Sequence, residues 1–501
     1  MNIPSHPVLS PAAAGKFEVE LFAGDERLAW KAMTGAGAAV AEAALADMAE
    51  AGGFPGSGRV LVLAGKGNNA GDALIAARDV LARHPGASCD VLFAFGPRRL
   101  KGPASRAWRG LADSSRGRAR AVGPERLAKA YDLCLDGIFG YSYRPPLPPE
   151  AAAAIAAAAN CTIRFRAAVD LPSGLEGKGA FHADFTYATG IAKDPILHGG
   201  NAGRPRYLDL GFFEGEAPGA GAKDRVILAS ALAPLAGLRP ASSDKRSQGH
   251  LAIVGGSEGT PGAVLLCTLA ALRSGAGLVS VFVPESLAAA YAARAPEAMW
   301  VGMPVTSRGG LSPRGLKIFE ERSEKATVLA IGPGIGMDPK TQAFAKTIVQ
   351  ASSIPLVIDA EALQPDIVRA GKAKRILTPH AGELARIHGT DLARFSGTVH
   401  GAVIAKGPVT RVCAGGPVYH CLRGGPVLSR GGSGDILCGL AGGLLAQSPA
   451  QPLLAACRAA LWHGTAADLL ARAKGQAAVE ILELLDHLSP ALRQAAPWRA
   501  N

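Results

Sequence analysis

Toward the C-terminus the chain reads Arg430-Gly431-Gly432-Ser433-Gly434-Asp435 and then turns apolar with a helical period. Glycines let a backbone fold around an anion. A helix N-terminus offers unpaired N–H donors and the positive end of its dipole. Asp435, inside the first turn, adds a carboxylate that could take a proton from an attacking hydroxyl. Donors for the oxygens and a base for the nucleophile are what phosphoryl transfer needs. As a plain N-cap, Gly-Gly-Ser-Gly would weaken the helix for no gain.

A second chemical segment lies near the N-terminus. The apolar run 59–64 (RVLVLA) leads into Gly65-Lys66-Gly67-Asn68-Asn69-Ala70-Gly71-Asp72. The spacing GxGxxA fits the dinucleotide fingerprint, which alone is weak. Its hydride-transfer version wants an acid at the end of the following strand, where this chain has Phe95-Gly96, with Asp90 at the strand's beginning. Asn68, Asn69 and Asp72 also offer several oxygens to a hard cation or a polar ligand. The same residues suit an Asx turn with Asp72 capping the helix. Two further strands carry acids at their ends, Asp136 before Gly137-Ile138-Phe139-Gly140 and Asp170 before Leu171-Pro172-Ser173-Gly174. In a parallel sheet, ligands sit outside the carboxyl ends of strands, so Asn69, Asp136 and Asp170 are expected to converge.

Five more polar strand ends occur in the second half: Gly255-Gly256-Ser257 through Ala263, Gly332-Pro333-Gly334-Ile335-Gly336, Asp359 with Glu361, Thr378-Pro379-His380 with Glu383, and Lys406 through Thr410. Each alone is weak. Asp359 could be a cap and His380 a satisfied buried imidazole. Five in one sheet exceed what capping explains.

These positions need elements to hold them. Short β-rich runs at 59–64, 89–95, 132–136, 166–170, 185–188 and 207–210 alternate with helical ones, after an Ala-rich helix over 26–50. Further strands are expected at 251–254, 278–283, 328–331, 356–358, 375–377, 403–405 and 410–414, with a helical tail from 433. Such alternation predicts βαβ units and two α/β domains. They are expected at 1–215 and 225–501, joined by a Pro/Gly-rich linker at 216–224.

Composition narrows the class. Gly and Pro make up 98 of 501 residues without a G-X-Y period, which excludes collagen. The net charge is +12, of which +8 falls between Arg98 and Lys129, with Trp108 the one aromatic there. That reads as a solvated face and argues against nucleic acid. No apolar run reaches 18 residues, so neither a membrane span nor membrane attachment is expected. The eight cysteines show no CxxC and read as reduced buried thiols of a cytoplasmic protein.

Gly-Asn-Asn-x-Gly-Asp, Asp-x-Ile-Phe-Gly and Asp-x-Pro-Ser-Gly, in that order, resemble the NAD(P)HX epimerase domain. The resemblance implies a Rossmann-like α/β/α sandwich and interconversion of the R and S hydrates of NADH and NADPH. It implies potassium held by Asn69, Asp136 and Ser173. It implies hydrate contacts from Asn68, Asn69, Ala70, Gly71, Asp72, Gly140, Tyr141, Ser142, Tyr143, Arg144, Pro145, Pro146 and Asp170, with Asp136 as acid/base. Ala70 and Ala73 stand where the family has glycines, and an alanine forced to positive φ would cost about 1 kcal/mol. The 141–146 stretch is bulkier than the family's small loop.

The second-half set, ending in GGSGD and Leu461-Trp462-His463-Gly464, resembles the NAD(P)HX dehydratase branch of the ribokinase-like superfamily from Lys245 onward. A second three-layer α/β/α domain is then implied, with ADP-dependent dehydration of the S hydrate. Asp435 would be the base. Ala263, Gly334 and His380 would contact the hydrate, and Lys406, Gly407, Pro408, Val409, Thr410 and Gly434 the nucleotide. Magnesium and a homo-oligomer are also expected. A dehydratase with a non-catalytic first domain and a ribokinase-like small-molecule kinase are the competing readings.

Overall fold

The run Arg-Val-Leu-Val-Leu-Ala is apolar and β-branched without alternation, which suits a strand covered on both faces. In the computed structural model it forms the strand Arg59–Ala64, buried from its second residue on. Val60, Val62 and Ala64 pack on one side with the helices Glu26–Met48 and Asn68–Arg83. Leu61 and Leu63 pack on the other with Ala151, Ala154 and Ile155 of the helix Pro149–Ala159. This is the three-layer arrangement expected for the first domain. The structure describes residues 3–495 except 142, 176, 214–220 and 390.

The chain divides into two compact units. One is His6–Val226 with Ala471–Gly475; the other is centred on Ile227–Leu470. Residues 471–475 were expected with the second domain. They group with the first, where Arg472 pairs with the buried Asp47 at 2.8 Å. Most of the expected linker (216–220) lies outside the described residues.

In the first unit seven strands pair in the order Arg204–Leu208, Phe185–Thr189, Arg166–Val169, Leu133–Gly137, Arg59–Ala64, Ser88–Phe93 and Ala119–Ala121. All these pairings are parallel. The chain moves outward from Arg59–Ala64 and then returns to its other side. The crevice between Arg59–Ala64 and Leu133–Gly137 is therefore a topological switch point, where open α/β sheets bind ligands.

In the second unit the parallel order is Met299–Met303, Leu278–Pro284, His250–Val254, Val328–Ile331, Leu356–Ile358, Arg375–Leu377 and Gly401–Ala405. Thr410–Cys413 and Val418–Cys421 then add antiparallel. The switch lies between His250–Val254 and Val328–Ile331. Met299–Met303 and Val418–Cys421 were not foreseen. The first is a partly exposed edge strand and the second is a short strand after a Gly-Gly-Pro turn. The helical tail is three helices, Ser433–Gln447, Pro452–Lys474 and Leu488–Ala495, the first two broken by a turn ahead of Pro452. The helix Pro11–Phe22, started by Ser10 accepting from the Ala13 amide at 3.2 Å, was also missed.

Candidate active sites

In the first unit the helix Asn68–Arg83 starts directly after the strand Arg59–Ala64 and its glycine turn, with Gly67 as N-cap. Asp72 is therefore inside the helix and does not cap it. Ala70 and Ala73 are helical core residues, fully buried and absent from the positive-φ positions. The strain expected of them does not arise. Gly71 packs against Met33.

A cavity of about 260 Å³ opens at the switch point, lined by Glu18, Gly67, Asn68, Asn69, Asp72, Gly140, Tyr141, Asp170, Thr189 and Lys193. A second of about 350 Å³ shares Glu18, Asn68, Asp72, Tyr141 and Thr189, and adds apolar wall from Phe22, Met33, Pro103 and Phe212. Asp170, at positive φ, accepts from the Tyr141 amide at 3.1 Å and pairs with the buried Lys193 ammonium. Burial, with Asp170 and Glu18 adding, drives the Asp72 carboxyl well above its ordinary range.

Asp136 does not line either cavity. Its side chain is wholly enclosed and accepts from the Ser173 amide (2.7 Å), the Ser173 hydroxyl (2.7 Å) and the Ile138 amide (3.2 Å). Burial pushes its carboxyl up to about 6 against those bonds. A carboxylate so occupied holds the 138–140 turn, behind the cavity wall. Asn69 joins the same turn, donating to the Phe139 carbonyl at 2.8 Å, while Phe139 donates to the Ser173 hydroxyl at 2.9 Å. The Asn69 Oδ1 is buried without a partner.

Of the expected hydrate contacts, Asn68, Asn69, Asp72, Gly140, Tyr141 and Asp170 meet at the cavity. Ala70 and Gly71 are packed inside. The Tyr143 ring packs tilted against Phe139 (5.3 Å), and Arg144, Pro145 and Pro146 are exposed off the cavity. Proline-rich chain after Tyr141 leads away from the sheet. Ser142 lies outside the described residues. Sequence reasoning missed Lys193, Thr189 and Glu18. The strand-end logic used for Asp136 would have found Thr189, the last residue of the strand Phe185–Thr189, and Lys193, four residues on. Glu18 has no such signal, because only folding brings its helix to the sheet.

In the second unit, parallel strands deliver their ends to one edge. Lys406 follows Gly401–Ala405, and its ammonium lies 3.4 Å from Asp359 and 3.8 Å from Glu383. Burial alone would pull it down, but those two carboxylates hold it above its ordinary range. Asp359 is buried and makes no capping bond. Gly332, at the end of the neighbouring strand, has φ +127°, and a Cβ there would meet the Asp359 carbonyl at 1.9 Å. Gly334 lies against Ala263, which a Cβ would approach to 3.0 Å.

The helix Ser433–Gln447 begins beside this group. A Cβ on Gly434 would stand 3.1 Å from the Lys406 Nζ. Asp435 is partly buried, and burial, with Asp359 next and Glu361 beyond it, raises its carboxyl to about 7 against Lys406. His380 is mostly exposed and not a buried imidazole. It caps the helix Ala381–Arg386, its Nδ1 accepting from the Gly382 amide at 3.0 Å, while Glu383 accepts from the His380 amide at 2.8 Å. Gly407, Pro408 and Val409 form the exposed-to-half-buried turn before Thr410. Below, the buried His463 is pulled down to about 4 by burial and has an unpartnered Nε2.

Among the described residues no three His, Cys, Asp or Glu side chains are grouped to hold a metal. No helix among them is long and apolar enough to cross a membrane. All eight cysteines are free and seven are buried.

Two family models match the chain: residues 251–490 fit the one described as NAD(P)H-hydrate dehydratase, and residues 31–194 the YjeF-related protein N-terminus. A bifunctional NAD(P)H-hydrate repair enzyme of Gloeobacter violaceus is 35% identical over 471 residues, covering 88% of this chain and 89% of its own. The enzyme of that name from Moorella thermoacetica is 32% identical over 470 residues, covering 87% of each. Among solved structures, an ADP/ATP-dependent NAD(P)H-hydrate dehydratase from Bacillus subtilis, co-crystallised with ATP and Mg2+, is 25% identical. The match covers 52% of this chain and 94% of that one, with a TM-score of 0.45.

Proposed function

The chain belongs to the bifunctional NAD(P)H-hydrate repair enzymes, and on that premise we propose which residues perform its two reactions. The N-terminal unit interconverts the R and S hydrates of NADH and NADPH. The C-terminal unit dehydrates the S hydrate with ADP, giving NAD(P)H, AMP and phosphate.

The observation that carries the second reaction is Asp435 beside Lys406 and Asp359 at the start of the helix Ser433–Gln447. Asp435 takes the proton of the C6 hydroxyl as that oxygen attacks the terminal phosphoryl of ADP, and AMP departs. Phosphate then leaves C6 with the bonding pair, pushed by the ring-nitrogen lone pair, and loss of a C5 proton restores the double bond. A carboxyl titrating at about 7 is poised for the first step near neutrality. Lys406 and the amides at Ser433 and Gly434 neutralise phosphate oxygens. Gly407, Pro408, Val409 and Thr410 support the diphosphate, and Ala263, Gly334 and His380 contact the hydrate.

Magnesium fits this donor set. Glu361 has a buried Oε2 without a partner, and Mg2+ is commonly held by one or two carboxylates plus substrate phosphates. When bound it neutralises charge on the transferring group. Potassium fits the first unit through the unpartnered Asn69 Oδ1, with Asp136 and Ser173 supplying neighbouring oxygens. There Asp170, paired with Lys193 in the cavity wall, is the acid/base in place of the enclosed Asp136.

The test supplies purified protein with mixed R and S hydrates and either ADP or ATP. Complete conversion of both epimers with ADP is expected. Conversion of the S half alone would remove epimerisation, and conversion with ATP only would remove the ADP assignment. No conversion with either would overturn the reading.

A further inference from the structure

Taking the first unit's cavity as the site of epimerisation, we propose that Glu18, carried by the N-terminal helix beside Tyr141, is the second proton-transfer group of that reaction, complementing Asp170. Inverting C6 requires the carbon–oxygen bond to break and to form again on the other face of the ring. In the first half a general acid protonates the C6 hydroxyl, which leaves as water with the bonding pair while the ring nitrogen supplies its lone pair. In the second half water adds to the opposite face and gives its proton to a general base. One carboxyl cannot reach both faces of a planar iminium, so a cavity built for this chemistry needs two groups from different walls.

Asp170 comes from the sheet edge and Glu18 from the helix Pro11–Phe22, and both line the same cavity. Tyr141 joins them. Its amide donates to Asp170 at 3.1 Å, and its side chain lines the cavity beside Glu18 and interacts with it electrostatically. Its ring lies 5.7 Å from the Lys193 ammonium. The helix can approach because residue 15 is glycine: a Cβ there would come 2.9 Å from the Tyr141 ring. The bulkier residue at the head of the 141–146 stretch thus seats Glu18.

The charges agree. Glu18, Asp72 and Asp170 face one ammonium, Lys193, which is paired with Asp170. Like charges so close oppose one another's ionisation, which favours the protonated form of Glu18 and Asp72. Burial raises the Glu18 carboxyl, Lys193 opposes it, and Asp170 adds to the rise.

The test is Glu18→Gln in the full-length protein, with the R hydrate as substrate and appearance of the S hydrate as readout. The expected result is a kcat about 100-fold lower with KM within about threefold and an unchanged thermal midpoint. One limb of the bell-shaped pH profile should disappear, and Glu18→Asp should restore part of the rate. Tyr141→Phe should shift that limb without abolishing it. An unchanged kcat in Glu18→Gln overturns the inference, as does a lower kcat that keeps both limbs. Failure of the unsubstituted protein to epimerise the R hydrate would instead overturn the reading of the cavity itself.

Discussion

Asp435, the proposed base of dehydration, illustrates how one residue can be costly to the fold and useful to a reaction. Its carboxyl titrates at about 7 in the protein and near 3.9 in an unfolded chain. The folded state therefore holds the proton more tightly. The associated stability is complete below about pH 4 and is lost as pH rises through about 7. Asp435→Asn should make the protein about 1–3 kcal/mol more stable at pH 8, a discounted range because the side chain is partly exposed; urea unfolding at pH 5 and 8 measures it. The same substitution should lower dehydration at least 1,000-fold. In the unsubstituted protein the dehydratase kcat should rise with pH through about 7 as the base loses its proton, and a flat profile from pH 5 to 9 would count against Asp435 as base.

At the scale of elements, strand ends and helix starts do the positioning. Gly332 lets the strand Val328–Ile331 turn directly against Asp359. Gly332→Ala should force an alanine to φ +127° and into the Asp359 carbonyl, lowering the thermal midpoint through a loss of about 2 kcal/mol or more. Gly434→Val tests a different contact. Its side chain would displace the Lys406 ammonium, so the KM for ADP should rise about tenfold, read from initial rates at varied ADP, with little change in stability. The strands holding these positions were legible because continuous runs such as 328–331 and 356–358 have no polar face. The helix Pro11–Phe22 was not, since it is half-exposed and carries no long apolar stripe, and neither was the strand Met299–Met303, apolar in sequence but partly exposed at the sheet edge.

For the whole molecule, the two units carry separate sites, each lined by its own residues. Asp170→Asn should stop epimerisation while sparing dehydration of the S hydrate. Asp435→Asn should do the reverse, and chiral chromatography of a mixed hydrate would distinguish them. The basic segment has structural work in the first unit. Arg118 donates to the Leu81 and Ala87 carbonyls at 3.2 and 3.0 Å, Arg120 pairs with Asp90 at 2.7 Å, and Arg106 lies 4.0 Å over the Trp30 ring. The sequence by itself determined two α/β units and pointed to Asn69, Asp170, Asp359, Lys406 and Asp435 as candidate site residues, because strand–helix alternation and polar strand ends are written locally in the chain. Only the tertiary structure decided that Asp136 is sealed by Ser173, that His380 is a helix cap in the open, and that Lys193 and Glu18 complete the first cavity. Burial and partnership depend on what distant segments bring alongside a residue, and no local pattern of residue types encodes that.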